Sequence, residues 1–179
     1  MRLAIGGAEI GEMAPRVKSS SAAARRAAEV LKRFDVDAPP VALEGICRAE
    51  GIAVCARPFD YVAGVFINDD VFPVIVVNSR ERRARQRFTI AHELGHYFLG
   101  HRRKSFAEPA TDSRQERDAQ RFAACLLMPA AWVRQYWRAY KANVENRLSI
   151  LAALFDVSRA ALELRVKELA LGGRVREKR

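Results

Sequence analysis

Two histidines four residues apart, His92 and His96, enclose Glu93, Leu94 and Gly95 in a segment from Arg85 to Gly100 that holds no proline and ends on glycine. Phe88, Ile90, Ala91, Leu94, Phe98 and Leu99 give this segment helical apolar spacing, so both imidazoles fall on one face. Two ring nitrogens so placed can share one zinc ion. Glu93 lies about 100° further round the helix. It is too far round to complete a compact ligand set, yet close enough to reach a water on the metal, as a general base beside a Lewis acid must be. Without a metal, the same five residues describe a helix with two partly exposed histidines and a solvated glutamate. Against that reading, the chain has only three histidines, two of them in the motif, and Phe88, Ile90, Tyr97, Phe98 and Leu99 flank it. Imidazoles on a core helix need partners, and a metal is one.

A catalytic zinc keeps one position for water and therefore needs three protein donors. His101 is one candidate for the third. In the three-histidine pattern, however, a glycine follows the second histidine by three residues and the last histidine by six; here Gly100 follows by four and His101 by five, which changes the angle of the turn. The better candidate lies in a second helical stretch from Glu116 to Met128, stopped by Pro129. Its face of Ala119, Ala123, Leu126 and Leu127 allows close approach of another helix. Glu116 lies one turn before that face and could reach a metal on the first helix, giving His92, His96 and Glu116. Gln120 shares the side of Glu116 and could hydrogen-bond a ligand histidine from outside the ligand set. The other reading of Glu116 is a solvated carboxylate paired with Gln120 or Arg117.

The run H-E-L-G-H-Y from His92, followed by E-R-x-A-x-R-F-A-A-x-L-L-M-P from Glu116, resembles the ImmA/IrrE family of metallopeptidases. Pro73 to Ser79 and Arg85 to Ala91 extend the likeness, which covers roughly residues 40 to 170. The resemblance implies a gluzincin-type site with His92, His96 and Glu116 holding Zn²⁺ and Glu93 as catalytic base. It further implies a narrow protein substrate, a helix-turn-helix transcriptional repressor.

Half of the 179 residues are hydrophobic, which fits a globular chain able to bury roughly 70% of its unfolded surface. No apolar run reaches the length of about twenty residues needed to span a bilayer, so no membrane association is expected. Leu3-Ala4-Ile5 after Met1-Arg2 is too short an apolar region for a signal peptide. Cys47, Cys55 and Cys125 show no C-x-x-C spacing and read as thiols in a reducing cytoplasm. The net charge of +10 favours acidic partners. Basic residues are not interleaved with aromatics, so DNA binding has only weak support.

These signals give an α+β fold: a zincin-like core with a small mixed sheet packed on the motif helix, then a C-terminal helix-turn-helix-like segment. Residues 1–37 read as a flexible tail and an N-terminal helix, 38–142 as the metallopeptidase domain, and 143–179 as the helical segment with a basic tail. Ser19 to Ser21 offer N-caps for a helix to Phe34, whose Arg25, Arg26, Lys32 and Arg33 form a solvated basic face. Gly51 closes a short helix after Leu43. Strands are expected at 52–56, 64–67 and 74–77, the last two joined through Asn68-Asp69-Asp70. Arg80, Arg82, Arg83, Arg85 and Arg87 read as the polar first turns of the motif helix, with Glu81 at its N-terminus. Residues 101 to 113 read as a polar loop. Tyr136, Trp137 and Tyr140 form a core stripe. Two helices meet at Asp156-Val157-Ser158, with Ser158 as N-cap. A DNA reader would use Arg159, Glu163, Arg165 or Lys167 from them. The functional reading is a zinc endopeptidase in the cytoplasm, with His101, Tyr97 and Tyr61 as candidates to stabilise the oxyanion. The alternative is a non-proteolytic DNA- or repressor-binding regulator with a structural or sensory zinc.

Overall fold

The computed structural model describes residues 21–67, 71–101, 113–140 and 144–171. The expected N-terminal tail, the Asn68-Asp69-Asp70 turn, most of the 101–113 loop and the basic C-terminal tail lie outside the described residues. Among the described residues seven helices and three strands follow in the order α1 (Ala22–Arg33), α2 (Leu43–Ala49), β1 (Ala53–Arg57), β2 (Gly64–Ile67), β3 (Val74–Asn78), α3 (Arg83–Phe98), α4 (Ser113–Leu127), α5 (Ala130–Ala139), α6 (Val144–Phe155) and α7 (Arg159–Glu168). The fold is α+β with a small mixed sheet. β3 lies in its centre, parallel to β1 (Ala53 opposite Val74) and antiparallel to β2 (Gly64 opposite Val77).

Local rules place most element ends. The Ser21 hydroxyl accepts from the backbone N–H of Ala24 at 3.2 Å and caps α1, which buries Ala23, Ala27, Val30 and Leu31 at helical spacing. Ser158 caps α7 in the same way, accepting from the N–H of Ala161 at 3.1 Å. The motif helix starts at Arg83, later than the run from Arg80 expected for its first turns, with Arg82 as N-cap and no acid in its first turn. Glu81 therefore stands outside the helix. At the end of β3, buried Asn78 accepts from the N–H groups of Phe59 and Arg80 and donates to the carbonyls of Phe59 and Val62, which fixes the loop before β2.

One apolar core runs from α1 through α3 and α4 to α7, with Leu43, Ile75, Leu94, Phe122, Leu126, Phe155 and Leu162 fully buried. Each such side chain contributes about 1.5–3 kcal/mol by leaving water. Phe98 stacks on Phe122 with ring centroids 5.9 Å apart, joining α3 to α4. Trp137 is buried and Tyr136 packs against the core, but Tyr140, expected in the same stripe, is exposed.

Several arginines that look solvated in the sequence are tied down. Arg87 is buried: its guanidinium donates to the Val41 carbonyl at 2.8 Å and the Asp156 carbonyl at 3.2 Å. Arg83 reaches the Asp156 carboxylate at 2.8 Å, so the start of α3 is fastened to the turn between α6 and α7. On α1, Arg26 donates to the Phe98 carbonyl and Arg33 pairs with Glu50 at 2.7 Å, so that face is not simply solvated. Arg165 is buried as well, donating to the Met128 carbonyl at 3.0 Å and pairing with Glu168 at 2.8 Å. It is a structural clamp, not a side chain turned outward to read bases.

Candidate metal centre

α3 carries His92 and His96 one turn apart, and α4 crosses α3 beside them. The crossing is close because Gly95 has no side chain: a Cβ there would sit 3.0 Å from the Ala119 carbonyl oxygen and 3.1 Å from the Ala119 Cα. With Ala119 seated in the crossing, Glu116, one turn earlier on α4, is presented to the two imidazoles. His92 Nε2 and His96 Nε2 are 3.1 Å apart, and the Glu116 carboxylate oxygens lie 3.2 Å from the first and 3.3 Å from the second. The His96 side chain is 5% exposed, that of His92 15% and that of Glu116 26%, so the group opens to solvent on the Glu116 side.

These three residues are a set that could hold a metal ion, with donor atoms all within 4.8 Å of one another. Their spacing fits one ion closely. A tetrahedral Zn²⁺ with bonds of about 2.0–2.1 Å sets its donors about 3.3–3.4 Å apart. The His92–His96 separation falls within a few tenths of an ångström of that edge, and each imidazole has its own Glu116 oxygen at a similar distance, Oε2 beside His92 and Oε1 beside His96. Two imidazoles and a carboxylate are also the donor chemistry that suits zinc. Glu93 is buried at 4% exposure, one residue beyond His92 and outside the triad.

Gln120 does not join this group. It is exposed on α4, and no hydrogen bond links it to either imidazole among the described residues. The reason is helix phase. With Ala119 in the crossing, the next residue turns about 100° away towards solvent. His101 does lie beside a candidate ligand: its Nδ1 is 3.2 Å from His96 Nδ1, away from the Nε2 that faces His92 and Glu116. It is not part of the triad. The other two candidates for oxyanion stabilisation stand apart too. The Tyr97 hydroxyl donates to Glu50 at 2.9 Å, and burial with that contact pushes its pKa up. Tyr61 is 99% exposed. Cys125, near in sequence to Glu116, faces the Arg165 guanidinium at 3.5 Å.

Two helices of an α+β chain thus bring two imidazoles and a carboxylate together as a group that could hold a metal ion. Residues 47–167, about two thirds of the chain, match the Peptidase M78 family, described as the IrrE N-terminal-like domain, and the chain belongs to that family. It is a metallopeptidase-like family. No curated protein matches the chain.

Proposed function

We propose that this chain is a zinc-dependent endopeptidase in which Glu93 is the general base and His92, His96 and Glu116 hold the ion. The observation that carries this reading is the convergence of those three donors, from two separate helices, with ligand atoms all within 4.8 Å of one another. Bound zinc would supply Lewis acidity to the scissile carbonyl and lower the pKa of the attacking water. Glu93 takes the proton from that water and passes it to the leaving amine.

The placement of Glu93 suits that task. Thr89, Glu93 and Tyr97 are four residues apart and share one side of α3. Thr89 lies against Gly64, where any side chain would collide with it, and Tyr97 packs edge-on to Phe66 with ring centroids 6.0 Å apart. Glu93 is therefore in the row that faces β2. Among the described residues that strand pairs only with β3, so its other edge can take an extended peptide by strand addition beside the base. We read this as a zincin-like arrangement, with β2 as the proposed substrate-binding strand.

The substrate we infer is a helix-turn-helix transcriptional repressor, a choice that rests on the family resemblance of the motifs. We place the reaction in the cytoplasm. None of the three cysteines forms a disulfide, and no described helix is long and apolar enough to cross a membrane. The non-proteolytic, DNA-binding alternative would use α6 and α7. It has less support, because Arg159 pairs with Glu145, Lys167 with Glu163, and Arg165 is buried.

The test is co-expression of the chain with a candidate repressor, comparing wild type with Glu93→Gln. The variant is expected to keep its zinc and to cut at least about a hundredfold more slowly, the usual contribution of a general base. Cleavage at the wild-type rate by Glu93→Gln would remove this residue from the mechanism.

A further inference from the structure

Helix α3 ends in a way that concerns the candidate metal centre directly. Leu99 is the C-cap, and Gly100 follows in the left-handed region at φ +70°. The Gly100 N–H donates to the Tyr97 carbonyl at 3.1 Å and the His101 N–H to the His96 carbonyl at 2.9 Å. Those paired bonds are a Schellman motif, which glycine favours because it has no Cβ to clash at positive φ. The turn folds the chain back over the last helical turn and sets the His101 backbone directly on that of His96. The rings follow: their centroids are 5.1 Å apart at 71°, and the two Nδ1 atoms are 3.2 Å apart. Gly100 and His101 are thus offset by one residue from the pattern that would deliver a third histidine to the metal, and the offset delivers a partner for a ligand instead.

We propose that His101 is a positioning residue: its Nδ1 accepts the Nδ1–H of His96 and so holds the His96 ring with its Nε2 lone pair facing His92 and Glu116. This inference rests on the metal-site reading given above. The chemistry is restrictive. An imidazole that ligates through Nε2 must carry its proton on Nδ1, and that N–H needs an acceptor when buried. His96 is 4% exposed, so water is a poor substitute. His101 meets the demand only with its own Nδ1 unprotonated and its proton on Nε2. One hydrogen bond then selects both tautomers, and the Schellman turn fixes its geometry.

The test uses the full chain, stripped of metal and titrated with zinc chloride against a chromophoric chelator. His101→Phe keeps a ring of similar size but no acceptor, and should lower zinc affinity about 10- to 100-fold, the cost of losing such an outer partner. His101→Asn offers an acceptor oxygen and should recover part of that loss. Thermal unfolding of the metal-free variants checks that each folds. A second measurement needs no variant. The chain holds only three histidines, so ¹H–¹⁵N spectra of the zinc-loaded wild type can show which ring nitrogen of each carries the proton. His96 is expected as the Nδ1–H form and His101 as the Nε2–H form. Wild-type affinity in His101→Phe, or a His101 protonated on Nδ1, would overturn the proposal while leaving the metal site intact. A loss in His101→Phe as large as that in His92→Ala, with no recovery in Asn, would make His101 a direct ligand and also overturn it. A wild-type chain that binds no zinc would remove the metal reading itself, and this one with it.

Discussion

The crossing of α3 and α4 at Gly95 is the point where packing and chemistry meet, and Gly95→Ala tests that link. The added Cβ would lie 3.0 Å from the Ala119 oxygen, 3.1 Å from the Ala119 Cα and 3.2 Å from Phe122 Cδ1. Ordinary carbon contacts need about 3.5–4.0 Å, so α4 must move outward by about half an ångström. Two terms then oppose each other. Overpacking a close contact costs about 1–3 kcal/mol. Replacing glycine by alanine inside a helix returns about 1 kcal/mol through the unfolded chain. The net expected loss is about 1 kcal/mol, a fall of about 2–4 °C in the melting temperature of the metal-free protein. The metal site should suffer more than the fold. α4 supplies one donor of three, and donor distances must hold within about 0.2 Å for good coordination, so half an ångström exceeds the tolerance. Zinc affinity is expected to drop roughly tenfold, comparable to loss of an outer hydrogen-bond partner. The assays are thermal unfolding of the metal-free chain and competitive zinc titration. If Gly95→Ala melts higher and binds zinc as tightly as wild type, the close crossing does not set the donor spacing, and the packing argument for Glu116 fails.

Two further outcomes follow from groups whose burial the sequence hides. Arg165→Met leaves the Met128 carbonyl and the Glu168 carboxylate without their shared donor, and should destabilise the chain by about 2–4 kcal/mol in urea unfolding; an unchanged midpoint would show that the clamp contributes nothing. Burial, helped by Glu44, pushes the Cys47 thiol from 9.0 up to about 12. In the native protein at pH 8 it should resist iodoacetamide while half-buried Cys55 reacts, because the thiolate is the nucleophile. Peptide mass mapping that finds Cys47 alkylated as fast as Cys55 would contradict this.

The readable parts of this chain were those governed by short-range rules. The period of apolar residues around His92 placed both imidazoles on one helix face. Ser21 and Ser158 marked helix starts through their own hydroxyls. The three strands fell within a residue or so of their apolar runs, most sharply β3, where Val74, Ile75, Val76 and Val77 are four β-branched residues in a row. Glu116 was legible only as one of two alternatives, because a carboxylate on a helix looks the same whether it faces solvent or a neighbouring helix.

What the sequence determined, then, is the local geometry: two imidazoles and a carboxylate at fixed angles on one helix, fixed because four residues span about one turn. Tertiary structure alone decided the rest. It chose Glu116 over His101 as the third member of the triad, because Gly95 and Ala119 let α4 come close while the Schellman turn at Gly100 set His101 beside the Nδ1 of His96. It turned Gln120 to solvent, and it buried Arg87 and Arg165 against carbonyl oxygens from segments distant in the chain. The physical reason is common to all of them. A side chain's partner across a helix crossing is set by which backbones can approach, and that depends on atoms far apart in sequence.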